Sequence, residues 1–70
     1  VGVYINDAKN VVINDSTFDG CTAHGIGAER FTSLKGSGNT YLNCPQEVVT
    51  YQAKKDAVSI NGTLEFFDAE

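Results

Sequence analysis

The stretch GVYINDAKNVVINDSTFDGC, Gly2–Cys21, and the stretch GIGAERFTSLKGSGNTYLNC, Gly25–Cys44, carry the same succession of residue classes 23 positions apart. Gly2 falls on Gly25, Val3 on Ile26, Val11 on Leu34, Thr17 on Thr40, Phe18 on Tyr41 and Cys21 on Cys44. Only Gly2/Gly25, Thr17/Thr40 and Cys21/Cys44 in that comparison are identities, so the agreement is one of residue type. A second shift of 23 carries Ile26 to Val49, Thr40 to Thr63, Tyr41 to Leu64 and Cys44 to Phe67. Self-similarity at a fixed period points to a repeated supersecondary unit.

Working outward, the first unit holds three short apolar segments: Val3-Tyr4-Ile5, Val11-Val12-Ile13 and Ser16-Thr17-Phe18. Their apolar residues alternate, so Val3, Ile5, Val11, Ile13 and Phe18 can share one face of extended backbone. Between them lie Asn6–Asn10 and Asn14-Asp15, which suit turns because Asn and Asp tolerate left-handed backbone and bond their own amides. Three strands per unit, stacked on copies of themselves, describe an all-β right-handed parallel β-helix of about three coils of 23 residues: 1–24, 25–47 and 48–70. Strand spacing of about 4.8 Å would then stack interior ladders Val3/Ile26/Val49, Phe18/Tyr41/Leu64 and Cys21/Cys44/Phe67. Asn10/Ser33/Asp56 and Ser16/Asn39 would form polar ladders at the turns. The third unit fits less cleanly. Val58 and Ile60 read as an inward pair, yet a strict shift sets them opposite Lys35 and Ser37, which asks for a slip in Gln52–Asp56. Pro45-Gln46-Glu47 also suits the start of a helix running to about Ala57.

Composition narrows the function classes. The chain has 70 residues, 41% hydrophobic and 20% charged, too apolar for a disordered segment and small for an isolated core. A net charge of −4 and no basic stripe exclude a nucleic-acid partner, and no apolar run is long enough to span a bilayer. Cys21, Cys44 and the single His24 cannot make a four-ligand zinc site, and no Asp-rich calcium loop occurs; neither metal nor cofactor is expected. Cys21 and Cys44 would sit one coil apart, either as interior thiols or within reach of a disulfide. The triplets at Asn14 and Asn61 that match a glycosylation sequon read as turn chemistry.

The run Gly-Val-Tyr-Ile, Asn-Val-Val-Ile-Asn-Asp-Ser-Thr-Phe-Asp-Gly-Cys, then His-Gly-Ile-Gly and Gly-Asn-Thr-Tyr-Leu-Asn-Cys, resembles coils of the pectate-lyase-like superfamily of right-handed parallel β-helices. The match is best over residues 2–21 and 25–44 and loose over 48–70. The resemblance implies a protein that handles polysaccharide, as lyases, glycoside hydrolases, epimerases and bacteriophage tailspikes of that superfamily do. It specifies fold better than chemistry. Three coils would rise only about 14 Å and leave open strand edges, so the chain is expected to be part of a larger protein or oligomer. Tailspike-like trimers set that expectation, with Phe66-Phe67 at an interface, and the location implied is extracellular or virion.

Ala23-His24-Gly25 resembles the Gly-His-Gly motif of polygalacturonases, with Ala in place of the first Gly and without the aspartates that accompany it. A turn histidine is the plainer reading. Outward positions of each coil's first strand would carry Tyr4 and Asn6, Gly27 and Glu29, then Thr50 and Gln52. Tyr4, Asn6, Glu29, Arg30 and Gln52 thus form a candidate saccharide-facing strip of amides, a carboxylate and an aromatic plate. Glu29, His24 and Asp7 are the catalytic candidates, since glycoside hydrolysis uses two carboxyl groups about 5–9 Å apart. Three readings stand: a scaffold segment of a polysaccharide-binding or polysaccharide-degrading protein; a purely structural shaft or oligomerisation module, or a piece of a pectate-lyase- or polygalacturonase-like enzyme; and a small α+β interaction domain with a helix at 46–57.

Overall fold

Val, Ile, Thr and aromatic residues dominate the extended segments, and their branched or planar side chains pack well on a pleated surface. A computed structural model describes residues 2–68, most of them in strands joined by short turns. The strands are β1 (Val3–Val12), β2 (Thr17–Asp19), β3 (His24–Gly36), β4 (Thr40–Leu42), β5 (Gln46–Tyr51), β6 (Val58–Ile60) and β7 (Leu64–Phe67). A 3₁₀ turn, Lys55–Ala57, precedes β6. One sheet runs β1-β3-β5-β7 with β6 also bonded to β3, and a second joins β2 to β4. All the strand pairs are parallel. The chain is all-β with parallel sheets, as the sequence reading expects. The helix at 46–57 is not formed: β5 and the 3₁₀ turn occupy that stretch.

Between the first two units the period is 23 throughout, from Val3↔Ile26 to Val12↔Lys35 and from Thr17↔Thr40 to Asp19↔Leu42. Phe18 stacks on Tyr41 with ring centroids 5.5 Å apart and planes 12° from parallel. Beyond that the register departs from a strict repeat. Ile26 lies beside Val48, not Val49, a separation of 22. The corner that ends at Pro45 is one residue shorter than its counterpart at Gly20–Ala23, and the proline ring fixes the backbone there. Leu34 then lies beside Val58, a separation of 24, because the segment around the 3₁₀ turn takes up two extra residues. Val48 next meets Leu64, only 16 positions on, since no strand follows β6 to continue the β2–β4 pair. Leu64 and Phe67 therefore join β5 and not the Phe18/Tyr41 and Cys21/Cys44 ladders. Asp56 falls in the 3₁₀ turn, off the Asn10/Ser33 ladder.

The bends recur as regularly as the strands. Asp7, Arg30, Gln52 and Asp68 all have left-handed backbone, with φ of 60°, 52°, 55° and 52°. So do Asp15, Gly38 and Gly62, at 51°, 72° and 122°, and Gly20 and Asn43, at 76° and 55°. Left-handed backbone costs a non-glycine residue about 1–2 kcal/mol, so its repetition at matching places reflects a shape that stacking enforces. Side-chain bonds follow the stack. The Ser33 hydroxyl donates to Asn10 Oδ1 at 2.7 Å, and the Ser37 amide donates to Asn14 Oδ1 at 3.0 Å.

Inward rows form the core: Val3/Ile26/Val48/Leu64, Ile5/Ala28/Thr50/Phe66 and Val11/Leu34/Val58. Ile26, Leu34 and Val48 are completely buried, each stabilising the fold by about 1.5–3 kcal/mol through removal from water. Thr50 is the polar exception. It is 1% exposed and its hydroxyl meets no partner. Thr50→Val keeps the shape and removes an unpaired buried hydroxyl, so stability is expected to rise by about 1 kcal/mol. A higher urea midpoint at unchanged slope is the readout.

Candidate functional site

Alternation along β1, β3, β5 and β7 fixes what faces out. With Ile5, Ile26, Ala28, Val48 and Thr50 inside, the opposite face carries the rows Tyr4/Gly27/Val49/Glu65, whose middle members Gly27 and Val49 are covered by their neighbours, and Asn6/Glu29/Tyr51/Phe67. Tyr4, Asn6 and Glu29 stand together as the sequence reading expects. The Tyr4 hydroxyl donates to Glu29 Oε1, and the Asn6 amide donates to Tyr4 Oη at 3.3 Å and Glu29 Oε1 at 3.5 Å.

Arg30 and Asp7 occupy the adjoining left-handed corner. Arg30 donates through Nε and a terminal nitrogen to Asn6 Oδ1, at 2.9 and 2.5 Å, and its Nε lies 3.1 Å from Asp7 Oδ1. The two side chains are 57% and 73% exposed, so the ion pair contributes at most about 1 kcal/mol. Its effect is to neutralise Asp7 and hold the Asn6 carboxamide, whose nitrogen then faces Glu29. Five of the residues named from sequence, Tyr4, Asn6, Asp7, Glu29 and Arg30, are thus one connected network.

Gln52 and Thr50 do not stand where the strict period puts them. With a separation of 22, Tyr51 lies beside Glu29, Thr50 points into the core and Gln52 moves to the corner after β5. The row gains an aromatic pair in exchange: Tyr51 stacks on Phe67 at 5.5 Å and 23°. Phe66 turns inward, with the Lys55 ammonium 5.7 Å from its ring centre. Only the register, not the residue types, separates Tyr51 from an inward position, so a strict repeat overlooks it.

His24 lies at the rim. A Cβ on Gly27 would meet His24 Nε2 at 2.7 Å and Tyr4 Cδ1 at 3.7 Å. The missing side chain is therefore the space into which the imidazole folds, and its Nδ1 is buried without a partner. Glu65 accepts a bond from Gln46 Nε2 at 2.6 Å in the next row. The described residues enclose no pocket and no cluster of three or more metal-ligating side chains, and no helix is long and apolar enough to cross a membrane.

Donation to Glu29 is the largest reason that the Tyr4 hydroxyl titrates above its ordinary value of 10.0, with the Glu29 charge acting in the same direction. A raised value means that the folded chain holds this proton more tightly than the unfolded chain. The contribution is whole below about pH 10 and fades as pH climbs through the raised value. Glu29→Gln should move the Tyr4 titration down towards the ordinary value, read by tyrosinate absorbance. No protein-family model, no curated protein and no solved structure matches the chain.

Proposed function

We propose that the chain is a segment of right-handed parallel β-helix whose outward strip holds a polysaccharide, within an extracellular or virion protein like those of the pectate-lyase-like superfamily. The β-helix reading is supported by all-parallel pairing at separations of 23 and 22 and by left-handed corners that recur at matching positions. The observation that carries the binding reading is the strip itself. Tyr51 and the exposed Phe67 offer a stacked aromatic pair that continues the row of Asn6 and Glu29, and the polar atoms of Asn6, Glu29 and Arg30 are already oriented by one another. Sugars present apolar ring faces edged by hydroxyls, and an aromatic plate flanked by bidentate polar groups suits both.

The strip is a binding face in this reading, not a complete catalytic centre. Asp7 is neutralised by Arg30 and open to solvent, whereas glycoside hydrolysis asks for two carboxyl groups facing a substrate held between them. Glu29, His24 and Asp7 remain the residues to test in an enzyme of this kind: a fall in kcat on Glu29→Gln would make Glu29 catalytic, whereas a raised KM at unchanged kcat would keep it on the binding face. The shaft reading has its own support in exposed Tyr4, Val12, Leu42 and Phe67, which could meet neighbouring chains in a homo-oligomer such as a trimer. Affinity electrophoresis against a panel of neutral and acidic polysaccharides separates the two. The binding reading expects retardation by at least one glycan, weakened about tenfold, roughly 1.4 kcal/mol, by Tyr51→Ala. No retardation by any glycan, with an oligomer by light scattering, would leave the shaft.

A further inference from the structure

We propose that Cys21 and Cys44 are an oxidative modification site: a facing dithiol that a low-molecular-weight disulfide such as oxidised glutathione converts to a bond between successive turns of the chain. The pairing of β2 with β4 fixes the register up to Asp19↔Leu42, and the Gly20 amide continues it by donating to the Leu42 carbonyl at 2.9 Å. Gly20 and Asn43 then turn the same left-handed corner, with φ of 76° and 55°. Cys21 and Cys44 leave that corner at equivalent positions. Neighbouring parallel strands set such positions about 4.8 Å apart, inside the roughly 4.4–6.8 Å between Cα atoms that a disulfide spans.

The side chains are turned to suit. Cys44 Sγ lies 3.4 Å from its own Leu42 carbonyl and 3.5 Å from the Phe18 carbonyl, so it leans across to the strand that leads to Cys21. The neighbouring Cys44 side chain, with lesser help from burial, holds the Cys21 proton on above the ordinary thiol value. Both thiols are half-buried and so remain within reach of a small reagent. The site lies beside the smaller sheet, apart from the strip of Tyr4, Glu29 and Tyr51, and does not depend on the function proposed above.

The exchange balances without another oxidant. One cysteine thiolate attacks a sulfur of oxidised glutathione, forms a mixed disulfide and expels a glutathione thiolate. The other cysteine loses its proton to solvent and attacks the protein sulfur of that adduct, so that the protein disulfide forms and the second glutathione leaves. Two thiols are oxidised and one disulfide is reduced. The bond would tie together β2 and β4, which share three residue pairs, and close a loop of 22 intervening residues. The melting temperature should then rise on the order of 10 °C.

The test incubates the full chain in glutathione redox buffers, in native buffer and in guanidinium, and maps peptides by mass without reductant. The expected result is a loss of two hydrogens on a Cys21–Cys44 linked peptide. The equilibrium should favour the folded chain by about a hundredfold over the unfolded one, because folding raises the effective thiol concentration. Cys44→Ser should stop at a single glutathione adduct on Cys21. A folded wild-type chain that keeps two glutathione adducts, that links only to other chains, or that oxidises no more favourably than in guanidinium would overturn the proposal.

Discussion

Gly36→Ala is expected to cost about 3 kcal/mol, at the upper end of what overpacking a core costs and a large share of what so small a domain holds in reserve. A Cβ at position 36 would collide with the Ile13 carbonyl oxygen, lie 2.9 Å from that carbonyl carbon and press on Ile60 Cδ1 at 3.3 Å. A side chain in the way could change rotamer. A backbone carbonyl cannot, and here it belongs to the residue whose amide donates to the Lys35 carbonyl at 2.9 Å. Relief requires β1 and β3 to separate at their far ends, where the Ile13 and Ile60 side chains close the core. Gly20→Ala is the matched control. Gly20 has φ of 76° and open space around its Cα, so its substitution costs only the left-handed strain of about 1–2 kcal/mol. Urea unfolding of both variants should separate the two effects, and equal losses would mean that backbone conformation, not close approach, is what glycine supplies at 36.

Asn39→Ala should be nearly as damaging, at about 3 kcal/mol. Asn39 is 7% exposed and joins three segments. Its Oδ1 accepts from the Ser16 amide at 3.1 Å, while its Nδ2 donates to the Ile13 carbonyl and to Asn61 Oδ1, each at 3.0 Å. Asn61 returns the contact by donating to the Asn39 carbonyl at 2.7 Å. Truncation strands these groups in a place with little access to water, and each loss costs about 1–3 kcal/mol, less where the neighbours relax. Asn39→Asp sharpens the test. It keeps the Ser16 bond but aims a carboxylate at two oxygens, which raises the introduced carboxyl's folded value above that of the unfolded chain. Its stability deficit should therefore shrink below about pH 4 and grow as pH rises through the folded value. A deficit that does not change with pH would mean that the side chain swings out to solvent.

The first two units were legible because nothing interrupts them. Gly2/Gly25, Thr17/Thr40 and Cys21/Cys44 mark the same corners and strand ends, and the strand pairing follows at 23 without exception. The third unit was not legible from period alone, since three local changes act on it. The corner at Pro45 removes a residue, the segment carrying the 3₁₀ turn adds two, and the absent third strand brings Leu64 back to β5 after 16. Val48 and Val49 compound the difficulty, because two adjacent valines give no apolar cue to which one faces in, and a slip of one residue exchanges the faces. The same slip explains the mixed result for the strip. Tyr4, Asn6 and Glu29 lie where the 23-residue register is intact. Gln52 and Thr50 lie beyond the shortened corner, so Tyr51 takes the outward place and brings its stack with Phe67. The two sequon asparagines, Asn14 and Asn61, both bond across the stack through their side chains.

The Asp7, Arg30 and Gln52 corner is the junction of fold and candidate function. It bends the long strands so that inward rows close on either side, and it sets the Arg30 guanidinium against Asn6 at the edge of the strip. A weaker stack would therefore loosen the site as well as the scaffold.

Backbone nuclear Overhauser contacts in solution test most directly whether successive passes of the chain lie side by side and run the same way. The expected pattern joins Ile5 to Ala28 and Thr17 to Thr40 at a separation of 23, then Ala28 to Thr50 at 22 and Thr50 to Phe66 at 16. Antiparallel contacts between strands adjacent in sequence, such as β1 with β2 or β3 with β4, would contradict it.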